Sequence, residues 1–334
     1  MNLFFKRLFM ILFSFCLLFS LTCCGAKKGD DSGKTDVRIG YFPNITHTQA
    51  LILKNQGTLE AAWTDKCNVS WTSFNAGPAE VEAVFAGEID LGYIGPVPAV
   101  NANVKSHGDV KIISNATNAG AVLLTRNDAD IKSIADLAGK KIAVPQLGNT
   151  QHLCLLDLLT QNGLKTVDKG GDVTISASSN ADIVNLMDNG SVDAAVVPEP
   201  WGTTIENNGN ATVLLDYDEL FLNGDYPTAV VIANGDFMEQ HPDLVAEFLK
   251  MHKDATLYIE ENRVEALQVV NSEIKSVTGK SIDTDVLQHA FTRIEATTDL
   301  NTDAVMTFAG ISKEEGFTST IPEETDVFKT EFRQ

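Results

Sequence analysis

The chain reads as an α/β protein built from two similar lobes with a ligand cleft between them. Three observations carry this reading. One phrase is used twice: Ala86-Gly87-Glu88-Ile89-Asp90-Leu91-Gly92-Tyr93-Ile94-Gly95-Pro96 and, about a hundred residues on, Asn189-Gly190-Ser191-Val192-Asp193-Ala194-Ala195-Val196-Val197-Pro198-Glu199-Pro200-Trp201. In each copy Gly closes a helix, Asp follows three places later, and a short apolar strand runs to Pro. Short apolar strands alternate with helical segments along most of the chain, the pattern of a largely parallel α/β sheet. Polar loops fall at the carboxyl ends of those strands, where open α/β sheets bind ligands.

Taken in order, Val37 to Tyr41 is a first strand, Phe42 to His47 a loop, and Thr48 to Asn55 an apolar helix. A strand over Asn68 to Phe74 leads to a helix opened by Gly77-Pro78 and ended by Gly87, with Val81, Val84 and Phe85 on its apolar face. Asp90 to Ile94 is a strand and Gly95-Pro96 starts a helix through Val104; strands follow at Val110 to Ala116 and Ala121 to Thr125. The pattern restarts near Arg126 to Asp130. A short helix from Ser133 to Leu137 precedes the strand Lys141 to Pro145, the loop Gln146 to Thr150 and a helix rich in leucine from Leu153 to Leu159. Val173 to Ala177 is a strand, Asn180 caps the next helix, and the Asp193 strand and Val213 to Asp216 complete the second lobe.

Thr228 to Ala233 takes the chain back, and helices follow over Pro242–Glu260, Val264–Ser276, Thr284–Glu295 and Asp303–Glu314. The organisation is therefore a first lobe of residues 36–126 and 228–317, a second of 127–227, and a polar, frayed tail over 318–334. Extended crossings near 126–130 and 225–229 are suited to act as a hinge.

At 334 residues there is enough chain for two real cores. Apolar content of 44% and charged content of 21% place it among globular proteins. The net charge of −20, from 25 basic and 45 acidic residues, excludes nucleic acid as a natural partner, since that affinity depends on Lys and Arg. It does not exclude a small anion, which backbone N–H groups at helix ends hold without formal charge.

Lys6 and Arg7 precede an apolar run from Leu8 to Leu21, too short for a membrane span and suited to an export signal. The run ends in Leu21-Thr22-Cys23-Cys24-Gly25, which resembles a bacterial lipobox with Cys24 as the lipidated residue. Cys23 stands where Gly, Ala or Ser is usual. Residues 1–23 then form a lipoprotein signal and 24–35 a flexible tether, leaving the protein anchored on the outer face of the membrane. Only Cys67 and Cys154 remain in the body, in different lobes, and two buried thiols rather than a disulfide are expected.

Four segments in order, Gly40-Tyr41-Phe42-Pro43-Asn44, Phe85 to Asp90, Asp136-Leu137-Ala138-Gly139-Lys140-Lys141-Ile142 and Val197-Pro198-Glu199-Pro200-Trp201, resemble the substrate-binding proteins of ABC importers of the nitrate/sulfonate/taurine type. The resemblance spans about residues 36 to 315. It implies the two-lobed type II periplasmic-binding fold, monomeric, closing on a small anionic solute for delivery to a membrane permease and its ATPase. It implies no cofactor. Sulfonate or taurine is the nearest ligand; nitrate, sulfate esters, aromatic acids and thiamine pyrimidines belong to the same family.

The candidate anion site is Gly148-Asn149-Thr150-Gln151, where a strand ends and a helix begins: free N–H groups and the positive end of the helix dipole converge there. The resemblance assigns Asn149, Thr150 and Gln151 as ligand contacts; a simple N-cap is the plainer alternative. Asn44, Thr46 and His47 occupy the equivalent loop of the first lobe, and the missing side chain of Gly95 admits a ligand to its N–H. Glu199 either receives a ligand ammonium, with Trp201 and Tyr41 packing the stem, or caps the helix after Pro200. Tyr41, Phe42 and Trp201 together could form a cation cage.

An enzyme has little support. The six histidines show no metal-ligating spacing, and no G-x-S-x-G, P-loop or G-x-G-x-x-G occurs. Ser272-Glu273-Ile274-Lys275 matches S-x-x-K without its companion motifs. Thiamine-pyrimidine synthases share the implied fold, but they need a cofactor lysine and a cysteine-rich iron motif.

Overall fold

A computed structural model describes residues 33–332; the segment expected as an export signal and Cys24 lie outside them, as does most of the expected tether. Eleven strands are described: β1 (Thr35–Tyr41), β2 (Cys67–Ser73), β3 (Leu91–Ile94), β4 (Lys111–Ala119), β5 (Ala121–Arg126), β6 (Lys141–Val144), β7 (Thr174–Ala177), β8 (Ala194–Pro198), β9 (Ala211–Leu215), β10 (Pro227–Ala233) and β11 (Ile294–Ala296). They form two sheets, ordered β11-β4-β10-β3-β1-β2 and β7-β6-β8-β5-β9. The helices that matter below are α1 (Thr48–Gln56), α2 (Gly77–Phe85), α3 (Pro96–Lys105), α4 (Thr150–Gln161), α5 (Asn180–Asp188), α6 (Trp201–Asn207), α7 (Pro242–Glu261) and α8 (Arg263–Thr278).

The expectation of largely parallel sheets holds for β1 with β3 and for β6 with β7 and β8. It fails in three places, one of them the sheet edge where β11 runs antiparallel to β4. β10 lies antiparallel between β3 and β4, and β5 lies antiparallel to β8 and β9. A chain that crosses directly from one lobe to the other arrives without the helical crossover that makes neighbouring strands parallel. Residues 121–125, read from the sequence as a last strand of the first lobe, thus pair within the second sheet. The turn that sends them there is Ala119-Gly120, both at positive φ (58° and 80°), and a Cβ on Gly120 would collide with Ile294.

The repeated phrase has one structural cause in both copies. Gly87 and Gly190 sit at φ 69° and 75° just beyond their helices, the left-handed conformation that glycine adopts without a Cβ penalty. The Asp three residues later then clamps the start of the neighbouring strand. Asp90 accepts the Arg38 N–H on its carboxylate at 2.8 Å, and its own N–H donates to the Arg38 carbonyl at 2.8 Å. Asp193 does the same with Lys141, both bonds again 2.8 Å. The motif sets the register β1–β3 and β6–β8.

Apolar faces close over both sheets. Trp63, Phe248 and Phe291 are fully buried beneath the first, where α7 and α8 pack on α1. Leu153, Leu155 and Phe308 fill the second core. Cys67 and Cys154 are buried in these separate cores. The segment expected as a helix over Thr284–Glu295 stops at Ala290 and becomes strand β11, because Ile294–Ala296 finds the free edge of β4. The tail is docked rather than frayed: Val327 is buried and the Lys329 N–H donates to the Ile112 carbonyl at 2.9 Å.

Candidate functional site

Loops at the carboxyl ends of β1, β3 and β6 meet across a small cavity between the sheets. Asn44, Thr46, His47, Gly95, Asn149, Thr150 and Gln151 all line it, together with Asn75, Gly77, Asn180 and Thr228. Five helical segments begin at this cavity: the 3-10 turn Ile45–His47 running into α1, then α2, α3, α4 and α5. Each presents the positive end of its dipole. Among the described residues, no Lys, Arg, Asp or Glu lines the cavity.

The two lobes build their halves alike. Asn44-Ile45-Thr46-His47 and Asn149-Thr150-Gln151-His152 both read Asn-x-x-His. Nδ1 of His47 accepts the Phe42 N–H at 3.2 Å, and Nδ1 of His152 accepts the Gly148 N–H at 3.0 Å. Each imidazole therefore ties down the loop before its helix and keeps its proton on Nε2. Burial lowers the pKa of His47 to about 3 and that of His152 to about 4, so both are neutral at physiological pH. This repeat was visible in the sequence and went unused there; the spacing matched no metal pattern, and His152 stayed unassigned.

At the start of α4 the roles separate. Asn149 is the N-cap: its Oδ1 accepts the His152 N–H at 2.8 Å and its amide donates to Gln151 Oε1 at 3.1 Å. The Thr150 hydroxyl is buried and has no hydrogen-bond partner, and among the described residues the N–H groups of Thr150 and Gln151 are unpaired. A buried hydroxyl beside two free donors at a helix start is an incomplete polar site, of the kind a bound anion completes. Asn180, expected as a cap, is instead the first residue of α5; Ser179 caps that helix, and Asn180 Oδ1 is buried without a partner.

Both halves are buried, with Thr46, Asn149 and Thr150 each at most 3% exposed, so the cleft is shut. Two contacts mark the closure. A Cβ on Gly95 would lie 2.4 Å from Thr150 Oγ1, so the glycine serves the approach of the lobes to each other. Asn75, at the rim, donates to the Pro145 carbonyl and accepts the Asn180 N–H, both at 3.4 Å. Sequence reasoning missed Asn75 because nothing local distinguishes it from any loop asparagine.

Three sequence candidates lie away from the cavity. Glu199 is fully buried, accepting the Thr203 N–H and hydroxyl at 2.9 Å each and Arg293 Nη1 at 3.0 Å. It caps α6 and neutralises Arg293, which also pairs with Glu206 and Asp216; a ligand ammonium has no access to it. Trp201 packs against the apolar cluster around Val122, Ile183 and Val197. Tyr41 has the Lys54 ammonium 5.7 Å from its ring centroid and Trp71 at its edge. Phe42 does reach the cavity but is stacked on His47, 4.3 Å between centroids. No aromatic cage forms from these three.

A family model matches residues 30–271, more than half of the chain. The chain belongs to the NMT1-like family. Among relatives of this NMT1-like chain, a putative aliphatic sulfonates-binding protein of Bacillus subtilis (strain 168) is 27% identical over 272 residues, covering 80% of this chain and 78% of the relative. The taurine-binding periplasmic protein of Escherichia coli (strain K12) is 30% identical over 188 residues, 56% of each chain. Among solved structures, the alkanesulfonate-binding protein SsuA from Xanthomonas axonopodis pv. citri bound to MOPS superposes with a TM-score of 0.72 at 22% identity, covering 88% of this chain and 98% of that one. The fold of these structures is the two-lobed binding-protein fold described above.

Proposed function

We propose that this chain is the extracytoplasmic solute-binding component of an ABC importer, closing its lobes on a small oxyanion of the sulfonate class and presenting it to a membrane permease. The observation that carries the reading is the unpartnered Thr150 hydroxyl, set among helix N-termini in a cavity that, among the described residues, no charged side chain lines. Family membership and the names of its relatives support the same role. The N–H groups of Thr150 and Gln151 and the Thr150 hydroxyl hold the oxyanion; Asn149 and His152 fix the geometry of that turn; Asn44, Thr46 and His47 face it from the first lobe. No bond is made or broken. Ligand contributes contacts to both lobes only when they are together, and that difference favours the closed state. Cys24 carries the lipid that tethers the protein, as a monomer, to the outer face of the membrane.

The test is a thermal-shift screen with alkanesulfonates, taurine, sulfate esters, nitrate and thiamine pyrimidines. Ligand at a hundred times its Kd stabilises the fold by about 2.7 kcal/mol, a clear upward shift in Tm. Thr150→Ala should lower affinity for the ligand found by about 10- to 150-fold, the loss of one hydrogen bond to a charged group. Wild-type affinity in that variant would move the anion site elsewhere.

A further inference from the structure

We infer that the cleft selects by charge against solutes that carry an amine, so that it takes a sulfonate with an uncharged stem and rejects the zwitterion taurine. The inference rests on the solute-binding reading above and narrows it. A ligand ammonium inside a closed cleft loses its water and needs a carboxylate or an open aromatic face in return. This cleft offers neither. Among the described residues no Asp or Glu lines it, and the nearest sequence candidate, Glu199, is fully buried against Arg293 and Thr203.

The aromatic faces are taken as well. Lys54 already sits over the Tyr41 ring, and Phe42 is stacked on a neutral His47. What remains for an ammonium is neutral oxygen, chiefly the unpartnered Asn180 Oδ1. The surrounding field is adverse too. Five helical starts aim positive dipole ends into the cavity, a field that attracts the sulfonate and repels a cation placed beside it. The overall charge of −20 does not alter this, because it is screened by solvent while the cleft is closed to it.

Taurine and 1-propanesulfonate are near-isosteric, with an ammonium in one where the other has a methyl; isethionate places a neutral hydroxyl there. Titration calorimetry of the three against the protein should show propanesulfonate and isethionate binding at least about tenfold tighter than taurine. Asn180→Asp supplies the missing carboxylate at a helix start, where an acid is tolerated. It should move the taurine-to-propanesulfonate affinity ratio about tenfold towards taurine. Taurine binding as tightly as propanesulfonate to the native protein would overturn the charge argument and leave the transport reading standing, as would a ratio unmoved by Asn180→Asp. No binding of any sulfonate would overturn both.

Discussion

Gly95→Ala isolates the closing of the lobes from the stability of either one. Gly95 has φ −66° and ψ 151°, values that any residue adopts, including one before proline. Alanine there strains nothing in the first lobe, and its smaller unfolded-state entropy adds about 0.4–1 kcal/mol to stability. The difficulty arises only across the cleft, where the new methyl stands 2.4 Å from Thr150 Oγ1. That is about 1 Å inside ordinary van der Waals contact. Thr150 is 2% exposed at the start of α4 and has no room to withdraw. Overpacking of this size costs about 1–3 kcal/mol, which here falls on the closed state and therefore on ligand binding.

The expected result is a ligand affinity lower by about 5- to 150-fold with an unliganded Tm that is unchanged or slightly higher. Calorimetry gives the first quantity and a ligand-free thermal melt the second. A double-mutant cycle sharpens it. In Thr150→Ala the next atoms facing the methyl are Pro98 Cδ and the Cβ of residue 150, both at 3.5 Å, an ordinary distance, so the cost of Gly95→Ala should largely vanish in that background. Native affinity in Gly95→Ala would show that the lobes of the liganded protein do not approach as they do here, and the closure argument would fall.

Two further outcomes follow from buried groups. Arg293→Ala leaves the Glu199 carboxylate buried and unpaired, and should lower unfolding stability by about 3–5 kcal/mol, read by urea denaturation; a loss below about 1 kcal/mol would mean that water or another group replaces the guanidinium. His47 and His152 are held neutral by burial, with pKa values of about 3 and about 4 against 6.5 in the unfolded chain. Between those values the unfolded state binds the extra protons, so stability is complete above about pH 6.5 and declines as pH falls towards 4. His47→Gln should flatten that decline in melts recorded from pH 7 to pH 4, and an equally steep decline in the variant would exclude His47 as its source.

Much of the site was legible because its loops follow strands that announce themselves. Val37–Tyr41 and Lys141–Val144 are largely apolar runs, each broken by a proline (Pro43, Pro145) ahead of a polar turn, so the Asn44 and Thr150 turns could be placed from the sequence. Strand direction was not legible, since hydrophobic pattern reports burial and is blind to which way a strand runs. Hence β5 was found as a strand but placed in the wrong sheet, and β10 was read only as the chain crossing back rather than as a central antiparallel strand. Glu199 was misassigned for a related reason. An acid between prolines looks available until its partner is known, and Arg293 stands 94 residues away with no local mark linking the two.

The place of β10 has a consequence for how the chain is made. Residues 121–215 supply every strand of the second sheet, so its strand pairing can complete once they are released, although Phe308 of its core arrives later. The first sheet has a gap between β3 and β4 that only Pro227–Ala233 fills. About a hundred residues separate the end of β4 from that strand, on the order of ten seconds of synthesis. For that interval two strand edges stand unpaired, open to a chaperone or to another unfinished copy. The nascent chain is thus most vulnerable in the half that it makes first.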